Sequence, residues 1–168
     1  GAIEPRKNAL EVVKAVEPLD ISVVLVGKQT AYYKEIEAYA QQQGMADRVL
    51  VLKGVPMEDL AVIYQLARVF CYPSVFEGFG IPIIEALFSR TPVITSKGSC
   101  FGEAGGAHSV YVDLNNAAVE IREAIVRIEG DAQLRETMIE EGYAYAQRFT
   151  DEVVYEELMK VYEKVMKR

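Results

Sequence analysis

The stretch Tyr72–Thr95, YPSVFEGFGIPIIEALFSRTPVIT, decides the fold. An apolar run, Val69 to Tyr72, leads into the turn residues Pro73 and Ser74. Glu77-Gly78-Phe79-Gly80 follows, and Pro82 then opens an apolar segment that contains Glu85. A second short apolar run, Pro92 to Thr95, closes the unit. The pattern reads as strand, glycine-bearing turn, helix, strand. Such a unit places a helix N-terminus at the carboxyl edge of a parallel sheet, where free N–H groups and the helix dipole make an anion site. Gly78 and Gly80 let a ligand approach the backbone closely. Pro82 suits a first helical position, where its missing N–H costs nothing.

Working outward, strands and helices alternate. Helices are expected over Asn8–Glu17, Tyr32–Gln43, Met57–Ala67, Ala117–Ile128, Asp131–Phe149 and Asp151–Met166, from apolar residues recurring at helical spacing. Strands are expected at Ile21–Val26, Val49–Leu52, Val69–Tyr72, Pro92–Thr95 and Ser109–Val112. Ile21–Val26 is continuous and β-branched, as a strand buried on both faces should be. Ser96–Gly106, with its four glycines, reads as a loop. Thr150 is a candidate N-cap for the last helix, and Glu156–Lys160 and Glu163–Lys167 are candidate i,i+4 pairs on it. The alternation predicts an α/β fold: an open, doubly wound, Rossmann-like parallel sheet covered on both faces. Ligands bind such sheets outside the carboxyl ends of the strands. The loops at that edge are 1–7, 27–30, 53–56, 73–81 and 96–106.

Composition narrows the function. The 168 residues fit one domain with a single sizeable core. A net charge of -7 without any Lys/Arg cluster argues against nucleic-acid binding. No apolar run approaches the ~18–20 residues of a membrane span, and no signal peptide is visible. Cys71 and Cys100 lack metal spacing, and Cys71 reads as a small hydrophobe of a buried strand. A reduced, cytoplasmic setting is the default. The opening at Gly1, with a turn and then a helix, reads as a piece cut from a longer polypeptide.

Two carboxylates flank the glycine turn. Glu85 lies about one turn into the helix. It could grip the paired hydroxyls of a ribose, or be a first-turn carboxylate favoured by the dipole alone. Glu77 could accept bonds from sugar hydroxyls, or be a solvated loop charge. A diphosphate beside two carboxylates needs cations, since like charges a few ångströms apart cost several kcal/mol. Arg6 and Lys7 lie in the first loop, on the same edge, and supply them. A basic pair ahead of a helix has the wrong sign for the dipole, which favours a functional reading. His108, the single histidine, reads as a surface residue or a contributor to a sugar site. No metal-ligand cluster and no G-x-S-x-G nucleophile elbow is present.

YPSVFEGFGIPIIEAL closely resembles the signature of the C-terminal, donor-binding domain of retaining GT-B glycosyltransferases of family 4, the "group 1" glycosyl transferases. PRKN with its following helix, LVG after a strand, TPVITS and the EAGG turn at Glu103–Gly106 fall in that family's order. The resemblance implies that residues 1–168 form one nucleotide-sugar-binding domain, the C-terminal half of a two-domain architecture whose acceptor domain is missing. The helix at 151–168 would then pack on that missing domain. By the same resemblance, Glu77 and Lys7 are catalytic. Arg6, Lys7, Val55, Glu77, Gly78, Phe79, Gly80, Ile81 and Glu85 bind the donor: Lys7 at the diphosphate, Glu77 beside the sugar, Glu85 on the ribose and the Val55 loop near the base. One departure is that an arginine found in many members falls here at Gly1.

The implied activity is transfer of a hexose-type sugar from a nucleotide diphosphate sugar to a glycan or lipid-linked acceptor, with retention of configuration and no metal or other cofactor. The isolated domain would be inactive. Membrane contact, at the inner face, is expected only through the full-length protein. The rivals are a nucleotide-sugar epimerase of related fold, a glycoside hydrolase using Glu77 and Glu85, and a non-catalytic nucleotide-binding or regulatory module.

Overall fold

The structure, a computed structural model, describes residues 1–166. Among these described residues, five strands alternate with eight α-helices: α1 (Ala9–Val16), β1 (Val23–Val26), α2 (Tyr33–Gln42), β2 (Val49–Leu52), α3 (Met57–Leu66), β3 (Phe70–Tyr72), α4 (Ile81–Phe88), β4 (Val93–Ser96), α5 (Phe101–Gly105), β5 (Val110–Val112), α6 (Ala117–Gly130), α7 (Ala132–Ala146) and α8 (Asp151–Met166). All strand pairing is parallel. The α/β expectation therefore holds, with one difference. The strands form two hydrogen-bonded sheets, β1-β2 and β3-β4-β5, instead of one.

Two apolar clusters hold the layers. One joins α1, α2, α6 and the inner faces of β1 and β2 through Val13, Val16, Ile36, Ile121 and Ile128, all nearly inaccessible. The other joins α4, α5 and α7 through Ile83, Leu87, Val93 and Phe101. Arg122 fastens α6 to the end of α1 by donating to the carbonyls of Lys14 (3.2 Å) and Ala15 (3.0 Å). Arg48 donates to the carbonyls of Glu17, Leu19 and Ile21 and so closes the turn before β1.

Burial on both faces is found in β4, where every residue is buried, but not in β1 or β2. Val24 and Leu50 stay 44% and 48% exposed. Val24 lines the cleft that the division of the sheet opens between β1 and β3, and Leu50 lies on β2, which pairs with β1 alone.

The expected loop 96–106 is corrected in part. Its second half is the one-turn helix α5, which buries Phe101 against α4 and is closed by Gly106 at φ 66°. Gly44 ends α2 region as expected, at φ 65°. On α8, Lys160 pairs with Glu157 at 2.6 Å instead of forming the expected Glu156 pair. The Glu163–Lys167 pairing involves a residue outside those described. Cys71 packs on the first cluster as a small apolar residue, and burial pushes its thiol up to about 12.

Candidate functional site

Strand β3 ends at Tyr72, and the chain turns through Pro73 and Ser74, all three buried. Two hydroxyls of β4 fix this turn. Thr95 donates to the Tyr72 carbonyl (2.8 Å) and Ser96 to the Ser74 carbonyl (2.7 Å). The first loop is tied to the same place, because the Val75 amide donates to the Arg6 carbonyl at 2.7 Å. Residues some seventy positions apart in sequence thus meet at the carboxyl edge of β3.

Glu77 is the centre of this meeting. Its Oε1 accepts from Arg6 Nη1 (2.6 Å), the Tyr72 hydroxyl (2.7 Å) and Ser74 Oγ (2.9 Å). Burial by itself would raise the carboxyl, with its side chain only 14% exposed, but the bonds from Tyr72 and Ser74 and the Arg6 charge outweigh it. Glu77 is therefore held below the ordinary carboxylate range, as an anion. Burial and the neighbouring carboxylate push the Tyr72 hydroxyl upward, so it stays a donor. Held as an anion, Glu77 is not poised to be the acid of a glycoside hydrolase.

Arg6 also reaches the Phe76 carbonyl (3.2 Å) and Glu4 (3.1 Å). Arg6 and Lys7 close a short 3-10 turn, Pro5–Lys7, which ends on Asn8 in the left-handed region at φ 57°. Lys7 Nζ lies 5.5 Å from the Tyr72 ring centroid, above the same cluster. Of the two cations the sequence points to, Arg6 is engaged with carboxylates and Lys7 stands over an aromatic face.

The glycine turn delivers the second half of the site. Gly80 adopts φ 91° and caps α4, and Pro82 occupies the first turn. The N-terminal end of α4 carries a positive partial charge next to Glu77 in the chain. Phe79 makes an edge-on contact with Phe149 (5.8 Å), and Ile81 is exposed beside it. Glu85, half-buried one turn along α4, accepts from the Tyr64 hydroxyl of α3 at 3.0 Å. Val55, half-buried, lies in the loop between β2 and α3, at the carboxyl edge of the other sheet. His108 is exposed, just before β5. Among the described residues, no group of three or more His, Cys, Asp or Glu is placed to hold a metal.

The structure therefore brings Arg6, Lys7 and Glu77 together and sets Glu85 on the adjoining helix. It adds Tyr72, Ser74 and Tyr64, which sequence reasoning did not single out. Tyr72 and Ser74 stood inside the deciding stretch, at the end of a strand, where side chains project over the edge; that position was the available signal.

The comparisons bear on the family and the fold. A family model described as "Glycosyl transferases group 1" matches residues 1–145. O-antigen chain mannosyltransferase B of Escherichia coli is 30% identical over 156 residues, covering 89% of this chain and 41% of that protein. O-antigen chain mannosyltransferase RfbU of Salmonella typhimurium is 34% identical over 115 residues, covering 67% of this chain and 33% of that protein. The chain thus spans less than half the length of these relatives. Among solved structures, Anabaena HepE in complex with UDP superposes with a TM-score of 0.89 at 21% identity, over 98% of this chain and 47% of that one. The C-terminal domain of a Francisella tularensis glycosyl transferase group 1 family protein superposes at 0.78 with 22% identity, over 89% and 82%. The architecture is that of the C-terminal domain of GT-B glycosyltransferases.

Proposed function

The chain belongs to the group 1 glycosyl transferases, and from that membership we propose that residues 1–168 are the donor-binding domain of a longer enzyme. This enzyme moves a hexose-type sugar from a nucleotide diphosphate sugar to a glycan or lipid-linked acceptor, with retention of configuration. A further, N-terminal domain of the longer protein binds the acceptor, and α8 packs on it. The isolated domain binds donor and does not transfer. The mannosyltransferase names of its relatives support the hexose, and the UDP complex of a structural neighbour supports the nucleotide. Among the described residues, no helix is long and apolar enough to cross a membrane. The proposed setting is the cytoplasm, with any membrane contact made by the longer protein.

The observation that carries this reading is the Glu77 cluster at the N-terminal end of α4. Glu77, kept ionised, orients sugar hydroxyls. Lys7, Arg6 and the backbone of Gly78 to Ile81 offset the charge that grows on the departing diphosphate. That electrostatic work needs no metal. Glu85, aimed by Tyr64, takes the ribose hydroxyls, and the backbone near Val55 meets the base.

A thermal-shift screen against UDP, GDP, ADP and CMP tests it, with an R6A/K7A double variant as control. Ligand at 100 times its Kd should stabilise by ~2.7 kcal/mol, roughly 5–10 °C at this size. The expected result is a shift with one nucleotide that the double variant loses. A shift that survives in the variant removes the charge role of Arg6 and Lys7. Silence from all four nucleotides favours a non-catalytic module.

A further inference from the structure

Each of the two site carboxylates is held on one oxygen by a tyrosine. Tyr64, on α3, donates to Glu85 Oε2 at 3.0 Å, and Tyr72, at the end of β3, donates to Glu77 Oε1 at 2.7 Å. Burial first, and then the carboxylate beside each, pushes both hydroxyls upward, so both stay protonated donors. The other oxygens, Glu85 Oε1 and Glu77 Oε2, are clear of these bonds.

A third ring stands between the two tyrosines. Phe70 meets Tyr64 edge-on, with centroids 5.1 Å apart and planes at 77°, and stacks on Tyr72 at 5.7 Å and 18°. Strand geometry explains the second contact. Phe70 and Tyr72 are two residues apart on β3 and project from one face, while Cys71 between them packs in the other cluster. The backbone fixes both ends of the stack. Phe70 and Tyr72 pair in register with Val93 and Thr95 of β4, and the buried Thr91 hydroxyl donates to the Tyr64 carbonyl at 2.6 Å. The loop between the carboxylates is less constrained. Phe76 is 67% exposed, and a Cβ at Gly78 would meet no atom within 4 Å.

We propose that Phe70 is a positioning residue of the donor site: wedged between Tyr64 and Tyr72, its ring aims the two hydroxyls that hold Glu85 and Glu77 and so ties the two ends of the site together. The identity of those ends, ribose at Glu85 and sugar at Glu77, rests on the donor-binding reading above. A tyrosine ring turns about only two torsions, so a neighbour that fixes its plane also fixes where its hydroxyl points. Phe70 does this for two rings at once, one by its face and one in an edge-on contact. An aliphatic side chain of similar volume would fill the space without presenting a flat face. Both hydroxyls would then spread over a wider range of directions, and both carboxylates with them.

F70L and F70M test this, with I128V in the other cluster as a control that perturbs packing away from both tyrosines. The first readout is an NMR titration of the Glu77 carboxyl in the ligand-free chain, with Y72F for scale. Besides Tyr72, Glu77 is faced by Arg6 from the first loop and Ser74 from the turn, and the Cys100 thiol donates to its carbonyl (3.4 Å); the Phe70 variants replace none of these. The Glu77 midpoint should rise toward the ordinary carboxylate range in F70L and F70M, as in Y72F, and stay at the parent value in I128V. A midpoint unmoved by both Phe70 variants overturns the proposal. The second readout is binding of UDP, GDP and ADP, each beside its 2′,3′-dideoxy form. The nucleotide that binds the parent should weaken roughly fivefold or more in F70L, F70M and Y64F, with its dideoxy form within about twofold of the parent. An equal loss for both forms overturns the link through Tyr64 to Glu85. Should no nucleotide bind the parent, the donor-binding reading fails by itself, and the titration still decides whether Phe70 positions Glu77.

Discussion

Glu77 gathers three donors on one oxygen, Oε1, and leaves Oε2 clear of all three. A carboxylate held this way keeps its charge and its direction, which is what a sugar-orienting group requires. The arrangement has a pH signature. Glu77 titrates below the ordinary carboxylate range when folded. Its contribution to stability is therefore complete above that range and is lost as pH falls through the lowered value. In E77Q, Tyr72 and Ser74 keep an acceptor but Arg6 loses the closer of its two ionic partners and keeps Glu4. The Arg6 side chain is 45% exposed, so solvent screens its share. The variant should be less stable by about 1–2 kcal/mol at pH 7. Urea denaturation should show that difference shrinking as pH is lowered toward 3. A difference that stays constant with pH would mean that the ionised carboxylate contributes nothing beyond its shape.

At the scale of elements, the turn into α4 shows why one glycine of the EGFG stretch cannot be replaced and another can. Gly80 sits at φ 91°, and an added Cβ would come within 3.2 Å of both the Ala104 Cβ and Ile83 Cδ1. Gly78 has neither a positive φ nor any atom within 4 Å of such a Cβ. G80A should cost about 1–3 kcal/mol, and G78A should stay within about 0.5 kcal/mol of the parent. Equal effects in chemical denaturation would contradict the assignment of strain to Gly80. Much of this scale was legible in the sequence. The periodicity of Leu60, Ile63 and Tyr64, the Pro82 signal and the short apolar run Val49–Leu52 placed α3, α4 and β2 within a residue or so. Helix α5 was not legible, because Gly102, Gly105 and Gly106 argue for a loop while the burial of Phe101 decides for a helix. The split of the sheet was hidden too, since periodicity marks strands but says nothing of which edges meet. In the site, Glu77, Glu85, Arg6 and Lys7 stood out by pattern. Tyr64 did not: it is one aromatic on a core stripe until α3 is packed beside α4 and its hydroxyl reaches Glu85.

On the scale of the whole molecule, α8 is set apart from the two cores. It buries no residue, and it adjoins the 3-10 turn Gln147–Phe149. Yet it is patterned as a docking helix: Val154, Leu158, Val161 and Val165 fall on one side, at 49–65% exposure. A helix of this length held mainly by its own backbone bonds is marginal in water, because nucleation is costly and packing normally supplies the stability. Helix α4, in contrast, buries Ile83 and Ala86 completely. The two should separate widely in hydrogen exchange. Amides of α8 should exchange with little protection, and those of α4 only through global unfolding. In the longer protein proposed above, with the apolar side of α8 covered, its protection should rise toward that of α4. L158K and V161K should leave the global stability of the isolated chain within about 0.5 kcal/mol, since neither position is buried. In the longer protein the same two changes should lower α8 protection again. Slow exchange of α8 in the isolated chain would show that it already has a partner within the domain, and the assignment of its apolar side to another domain would then fail.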